Sequence, residues 1–269
     1  MRPIIQKTLK NEGYPPLKKL GQNFLTDKKA VVKIIEAAQV SSRDTIVEIG
    51  PGTGVLTVEL AKRAGQVIAI EKDERMCSLL EKTLAGFNNV RVLNQDIRYW
   101  PGPEKIAYKV IANLPFYLSS LIIRNFLERA NPPEDMVLII QKEVAQRINA
   151  KVPDMSLLAV AVQFYAKTKI ISCLSKKSFW PQPEVDAAII QITPLKQLRE
   201  VEPEKFFLVA KAGFSQPRKK LINNLANKLK IKKKEIEKWL LDNNHSPDQR
   251  AETLSPEDWI KLAKSFRID

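Results

Sequence analysis

The chain has 269 residues, 44% of them hydrophobic and 28% charged, which is enough to bury one large core and leave material for a smaller second domain. Its formal charge of +14 and pI near 9.7 favour a polyanionic partner over a small neutral substrate. With only Cys77, Cys173 and the single His245 in a polar segment, the composition argues against a disulfide scaffold, a multi-cysteine metal centre and a histidine-dependent triad, so no metal is expected.

Met1 to Leu20 lacks the continuous apolar core of a secretory signal, and no apolar run is long enough to span a membrane, so a soluble cytoplasmic protein without membrane contact is expected. These residues carry Arg2, Lys7, Lys10, Lys18 and Lys19 against Glu12 alone, and read either as a basic arm or as a terminus without function. Asp27 to Gln39 has the spacing of an amphipathic helix, with Thr26 or Asp27 near its cap. Thr45 to Ile49 reads as a buried strand that runs into Gly50-Pro51-Gly52-Thr53-Gly54 and a helix from Val55 to about Arg63. Glycines there let the backbone approach a ligand, but the dinucleotide fingerprint would need a glycine where Val55 stands, which disfavours pyrophosphate.

The next strand, Gln66 to Ile70, ends in Glu71, where an acid can accept from ribose hydroxyls, and a helix follows from Asp73 to Leu84. A third strand, Val90 to Asn94, ends in Gln95-Asp96, where a carboxylate can accept from an adenine amino group. Taken singly, Glu71 and Asp96 are ordinary strand-end carboxylates. At successive strand ends beside a glycine loop they point to a nucleoside site, because open parallel sheets bind ligands at the carboxyl ends of their strands.

The fourth strand, Tyr108 to Ala112, closes on Asn113-Leu114-Pro115-Phe116. Alone, this is an Asn-capped turn. It is also the set that methylation of an exocyclic amine on a flat base would need, because such an amine is a poor nucleophile whose lone pair is delocalised into the ring. Asn113 Oδ1 and the Leu114 carbonyl can accept its two hydrogens, Pro115 fixes the turn, and Phe116 can stack on the base. A helix from Leu118 to Arg129, a strand from Met136 to Gln141 and a segment from Ser156 to Ala166, whose length and alanine content favour a helix, come next. Strands Lys169 to Cys173 and Ala187 to Thr193 flank a Phe179-Trp180-Pro181 loop. Past Pro194 to Pro203 the pattern changes to short charged helices, at about 204–213, 218–229, 233–241 and 256–266, with Pro217 compatible with a first helical position.

The motifs Gly21-Gln22-Asn23-Phe24-Leu25, Val47-Glu48-Ile49-Gly50-Pro51-Gly52-Thr53-Gly54, Glu71, Gln95-Asp96, Asn113-Leu114-Pro115-Phe116 and Phe179 to Asp186 together resemble those of the ribosomal RNA adenine N6,N6-dimethyltransferases, over nearly the whole chain. Phe214 to Leu225 and Arg250 to Ser255 are similar to the small-subunit enzymes of the KsgA/RsmA type rather than to the large-subunit enzymes that confer macrolide resistance. The chain departs from the family pattern at Pro217, Lys220, Glu184 and Ala187, which touches local RNA contacts rather than the chemistry.

The resemblance implies an α/β fold: a Rossmann-like S-adenosylmethionine-dependent methyltransferase sheet with a smaller C-terminal helical domain. The expected division is 1–26 as basic arm and cofactor-covering loop, 27–196 as methyltransferase domain and 197–269 as helical RNA-binding domain. It also implies that Asn23 and Leu25 cover S-adenosylmethionine, with Gly50 and Gly52 beneath it, Glu71 on its ribose, Asp96 on its adenine and Asn113 between methyl donor and target amine. The implied activity is dimethylation of two adjacent adenosines near the 3′ end of small-subunit ribosomal RNA, by a monomer acting on immature small subunits. A large-subunit RNA dimethyltransferase and a non-catalytic assembly factor are the alternatives. Phe179 reads equally as a second stacking ring or as a core aromatic, whereas Tyr117 and Trp180 read as packing residues. From Lys211 to Lys234 there are nine Lys or Arg and no acid, so Arg218, Lys219 and Lys220 are expected to meet RNA phosphates.

Overall fold

A computed structural model describes residues 1–196 and 200–267. In chain order the elements are α1 (Arg2–Asn11), β1 (Phe24–Leu25), α2 (Lys28–Ala38), β2 (Thr45–Ile49), α3 (Val55–Ala61), β3 (Gln66–Glu71), α4 (Glu74–Leu84), β4 (Val90–Asn94), β5 (Lys109–Asn113) and α5 (Ser119–Leu127). They continue with β6 (Asp135–Gln141), α6 (Lys142–Ile148), α7 (Leu157–Tyr165), β7 (Ala166–Leu174), β8 (Phe179–Trp180), β9 (Ala187–Pro194), α8 (Pro203–Gly213), α9 (Leu221–Leu229), α10 (Lys233–Asp242) and α11 (Pro256–Ser265). Two compact units result, Met1–Ala145 with Lys167–Pro194, and Gln146–Ala166 with Leu195–Asp269.

The first unit is built on a seven-stranded sheet of order β4-β3-β2-β5-β6-β9-β7, in which β4, β3, β2, β5 and β6 run parallel and β9 is antiparallel to β6. Apolar runs make this possible: β2, β5 and β6 are buried on both faces, which is what a parallel sheet covered by helices demands. The amphipathic reading of α2 holds, since Ala30, Val31, Ile34, Ile35 and Ala38 are buried and Asp27 caps the helix by accepting from the Lys29 and Ala30 amides. Chain order reverses between β2 and β5, so the glycine loop after β2 and the Asn113 turn after β5 lie side by side at the sheet's switch point.

The segment expected as a basic arm is a docked helix. Ile5 and Leu9, one turn apart on α1, pack with Phe24, Met76 and Leu79, while Lys82 pairs with Glu12 at 2.7 Å and the Arg75 guanidinium lies 5.8 Å from the Tyr14 ring centroid. Two buried apolar residues in ten left too faint a period to read, because Lys7, Lys10 and the exposed Ile4 blur the face.

The second unit has its own core of Phe164, Phe206, Leu221, Leu225, Leu240 and Trp259. Residues 146–166, expected within the methyltransferase domain, belong here: α7 buries Val160 and Phe164 in this core, and the Phe164 and Phe206 rings stack at 4.0 Å between centroids. The expected boundary at 196/197 adjoins Gln197–Arg199, which lie outside the described residues, and the division falls at Pro194/Leu195. Pro217 does not open a helix. Residues 215–219 form a turn, and α9 starts at Leu221 because the buried Asn224 amide donates to the Gly213 and Gln216 carbonyls and ties the turn back to the end of α8. Gly213 is obligatory, since a Cβ there would collide with the Trp259 ring.

Candidate functional site

Strand register sets the site. Ile49 lies level with Ile70 and Ala112, and Glu71 with Asn94, so the ends of β2, β3, β4 and β5 open on one edge of the first unit. A pocket there is lined by Asn23, Leu25, Gly50, Gly52, Glu71, Asp96, Asn113, Leu114, Pro115 and Phe116. Every residue expected at the cofactor or the reacting amine is therefore brought together, from segments as far apart as 23 and 116. Gly50 and Gly52 hold φ of +65° and +56°, and a Cβ on Gly52 would lie 3.0 Å from the Phe24 ring, so side chains at these positions would both strain the loop and fill the floor.

The acids are held in different ways. Glu71 is buried at the end of β3, where Oε2 accepts from the Gly52 amide at 3.1 Å and Oε1 from the Asp73 amide at 2.9 Å. Burial raises its pKa, with these amides working against the shift. Two amides leave lone pairs on both oxygens, which suits a pair of vicinal hydroxyls. Asp96 ends β4 with its carboxylate gripped by Arg98 through Nε at 3.1 Å and Nη2 at 2.7 Å, and by Lys72 at 2.9 Å, and Arg98 above all holds its pKa far below the usual carboxylate range. A ligand amino group must share that carboxylate with two cations.

The remaining wall comes from the segment after α1. Gln22 accepts the Leu17 amide at 2.8 Å and donates to Asp73 at 2.8 Å, while Phe24 and Leu25 pair with Trp180 and Phe179 as a two-stranded ribbon. This fixes the Asn23 carbonyl, to which Asn113 Nδ2 donates at 2.9 Å. The Asn113 amide is thereby oriented with its nitrogen spent on protein and its Oδ1 left as an acceptor. Leu114 is anchored by its amide to the Ile139 carbonyl at 3.1 Å, Pro115 follows with φ −54°, and Phe116 is half-buried.

Other expected residues do not join this set. Phe179 is fully buried (0% exposed) in the core under β1 and does not line the pocket, so in this structure its ring has no free face for a base. The physical reason is its pairing with Leu25: alternation along a two-residue strand turns Phe179 inward. Arg218 and Lys219 sit exposed in the turn before α9, and Lys220 at its N-cap pairs with Asp248 at 2.9 Å. They belong to the second unit.

Sequence reasoning missed Glu48. It lines the pocket at 1% exposure, its Oε2 meets no hydrogen-bond partner, and burial pushes its pKa up to about 8, with Thr57 opposing that shift and the Glu71 charge adding to it. A carboxylate inside an otherwise apolar strand was the available signal, since such a group is buried only for a reason. Tyr117, expected to pack, is 64% exposed on the pocket's rim. Among the described residues no helix is long and apolar enough to cross a membrane, and no group of His, Cys, Asp or Glu is arranged to hold a metal ion.

Comparison with known proteins finds that residues 17–267 match the family model described as ribosomal RNA adenine dimethylase. The chain is 44% identical over 264 residues to a protein of Dehalococcoides mccartyi strain BAV1 named ribosomal RNA small subunit methyltransferase A, covering 95% of this chain and 90% of that one. It is 37% identical over 279 residues to the protein of that name in Geobacillus sp. strain WCH70, covering 97% and 95%. Among solved structures, a dimethyladenosine transferase from Plasmodium falciparum matches with a TM-score of 0.76 at 28% identity, covering 89% of this chain and 95% of that one. The 23S rRNA methyltransferase ErmE matches with a TM-score of 0.75 at 26% identity, covering 90% and 98%.

Proposed function

The chain belongs to the ribosomal RNA adenine dimethylase family, and on that premise we propose that it dimethylates N6 of two adjacent adenosines near the 3′ end of small-subunit (16S) ribosomal RNA, using S-adenosylmethionine. It acts as a monomer in the cytoplasm, on immature small subunits. The small-subunit substrate is favoured because the relatives at 37% to 44% identity carry the small-subunit name, whereas the large-subunit enzyme ErmE is 26% identical. The observation that carries the chemistry is Asn113, whose Nδ2 is tied to the Asn23 carbonyl so that Oδ1 remains to receive an amine.

The pocket suits the cofactor. Its floor is free of side chains at Gly50 and Gly52, the backbone-anchored Glu71 offers acceptors for ribose hydroxyls, and the orphaned Glu48 Oε2 offers an acceptor for a cationic group. Asn23 and Leu25 cover it, and Asp96 takes its adenine amino group beside Arg98 and Lys72. When bound, S-adenosylmethionine supplies an electrophilic sulfonium methyl carbon.

Asn113 Oδ1 and the Leu114 carbonyl accept the two N6 hydrogens of the target base, draw N6 toward a pyramidal geometry and stabilise the positive charge that develops on it. Pro115 sets the carbonyl's direction, and Phe116 stacks on the base. These residues act mainly by alignment, which turns a bimolecular encounter into a pre-organised one. The base must leave its stack first, at a few kcal/mol, which one aromatic face returns in part at about 1 to 3 kcal/mol. Arg218, Lys219 and Lys220 take phosphates of the same RNA.

The test is transfer of labelled methyl groups to unmethylated small subunits, naked RNA and DNA in parallel, followed by nucleoside mass spectrometry. N6,N6-dimethyladenosine from small subunits is the expected product. Its appearance only with large-subunit RNA, or no transfer with RNA still bound, would replace this reading by one of the two alternatives.

A further inference from the structure

A base drawn into the pocket by its exocyclic amine leaves its neighbour in the strand outside. The neighbour has lost a stacking partner and lies at the rim, so whatever the rim presents decides how costly that loss is. What it presents is aromatic and cationic. Tyr117, directly after Phe116, is 64% exposed although it lines the pocket. One ring edge lies over Gly21, where a Cβ would lie 3.2 Å from Cε1 and 3.4 Å from Cδ1. Gly21 itself holds φ +64°, so the backbone that supports the ring is committed to glycine.

Arg98 is held at the same pocket through Asp96, which lines it as Tyr117 does. Its guanidinium is pinned on Asp96 through Nε and Nη2 and lies 5.4 Å from the centroid of Tyr99, itself 75% exposed. Nη1 takes no hydrogen bond among the described residues. An exposed tyrosine and a guanidinium with a free N–H at the mouth of one pocket supply what holds single-stranded nucleic acid without reading its sequence: a ring for the base and a donor for the phosphate.

We propose that Tyr117 and Arg98 form a subsite for the nucleotide next to the target adenosine, with the neighbouring base stacked on Tyr117 and a phosphate on Arg98 Nη1. This rests on the reading that the target base enters the pocket at Asn113. It makes Tyr117 a positioning residue for the RNA strand, outside the methyl transfer itself.

The test measures single-turnover methylation by wild type, Tyr117→Ala, Tyr117→Phe and Tyr117→Trp on unmethylated small subunits. A second set of subunits is reconstituted with RNA abasic at the nucleotide beside the target. Tyr117→Ala is expected to lose roughly 5- to 150-fold in kcat/KM on intact RNA, the range of one lost stack, while the Phe and Trp variants stay within about threefold. On abasic RNA the wild type should fall by a similar factor, and Tyr117→Ala should fall no further. S-adenosylmethionine affinity and thermal midpoint should be the same for all four proteins. Wild-type kinetics for Tyr117→Ala on intact RNA, or an equal further loss on abasic RNA, overturns the subsite. Absence of N6-methylated adenosine with the wild type on intact subunits would instead overturn the underlying reading of the pocket, and the subsite with it.

Discussion

The pocket of the first unit and the basic turn of the second bind by opposite means. At the ends of β2, β3 and β5 the pocket's polar groups are few and fixed by their surroundings: Glu71 is held by two amides, Glu48 is driven toward its neutral form, and Asn113 is fixed by one carbonyl. In the turn and the helices after it, charge is plentiful and exposed, and among the described residues Lys220 is the one member of Arg218, Lys219 and Lys220 in an ion pair. Buried groups act through geometry, so a single atom decides their effect, whereas exposed cations act through number and are screened by salt. The pocket should therefore be sensitive to point changes and indifferent to ionic strength, and the turn the reverse.

Asn113→Ala gives the sharpest test of that contrast. Loss of the Oδ1 acceptor should cost roughly a hundredfold or more in methyl transfer at saturating cofactor, the scale seen when one pre-organised polar group is removed from a transition state. RNA affinity and its salt dependence should stay the same. Turnover near the wild-type rate would remove Asn113 from the reaction.

Glu71→Ala should weaken S-adenosylmethionine binding by about 1.5 to 3 kcal/mol, or roughly 10- to 150-fold, through loss of charge-assisted acceptors. Because it also strands the Gly52 and Asp73 amides, Glu71→Gln is the companion variant, expected to lose less while keeping the fold. Calorimetric titration with wild-type affinity in both proteins would take Glu71 out of the cofactor site.

On the basic side, neutralising Arg218, Lys219 and Lys220 together should lower RNA affinity and reduce the log–log salt slope by roughly 0.7 to 0.9 for each lost phosphate contact. Lys220 should count least, since Asp248 already offsets part of its charge. Cofactor affinity should be unchanged. An unchanged salt slope would make the turn a solvated face and break the comparison.

The smallest effect concerns Glu48. Its pKa in the folded protein, about 8, lies above the ordinary value of 4.5, so between these limits the folded state holds the proton more tightly than the unfolded state. The stability it contributes is fully present below about pH 4.5 and is lost as pH rises through about 8. Glu48→Gln, neutral at every pH, should flatten that fall and raise the thermal midpoint at pH 8 by a few degrees relative to wild type, with little change at pH 5. An identical pH profile in the two proteins would show that Glu48 is ionised in the fold.

Much of the parallel sheet was legible because its signals are local. The run from Thr45 to Ile49 before a glycine loop, the acids at the next two strand ends, and the Asn113 turn each declare a strand end, and a parallel sheet collects such ends on one edge. The Asn23 carbonyl under Asn113 was not legible, since that contact joins loops 90 residues apart that no period relates.

By itself the sequence determined the strand ends, the glycine floor and the identity of the polar groups, because each follows from residue type and short-range period. Only the tertiary structure decided which of two aromatic residues faces outward. From the sequence, Phe179 is open between a stacking ring and a core aromatic, and Tyr117 reads as a packing residue. Pairing of β8 with β1 buries the first, and the turn over Gly21 exposes the second. Tertiary structure likewise assigned α7 to the second core and folded Ile5 and Leu9 onto Met76. The physical reason is the same in each case: whether an apolar side chain is buried depends on the complementary surface it meets, and that surface is supplied by residues tens of positions away in the chain.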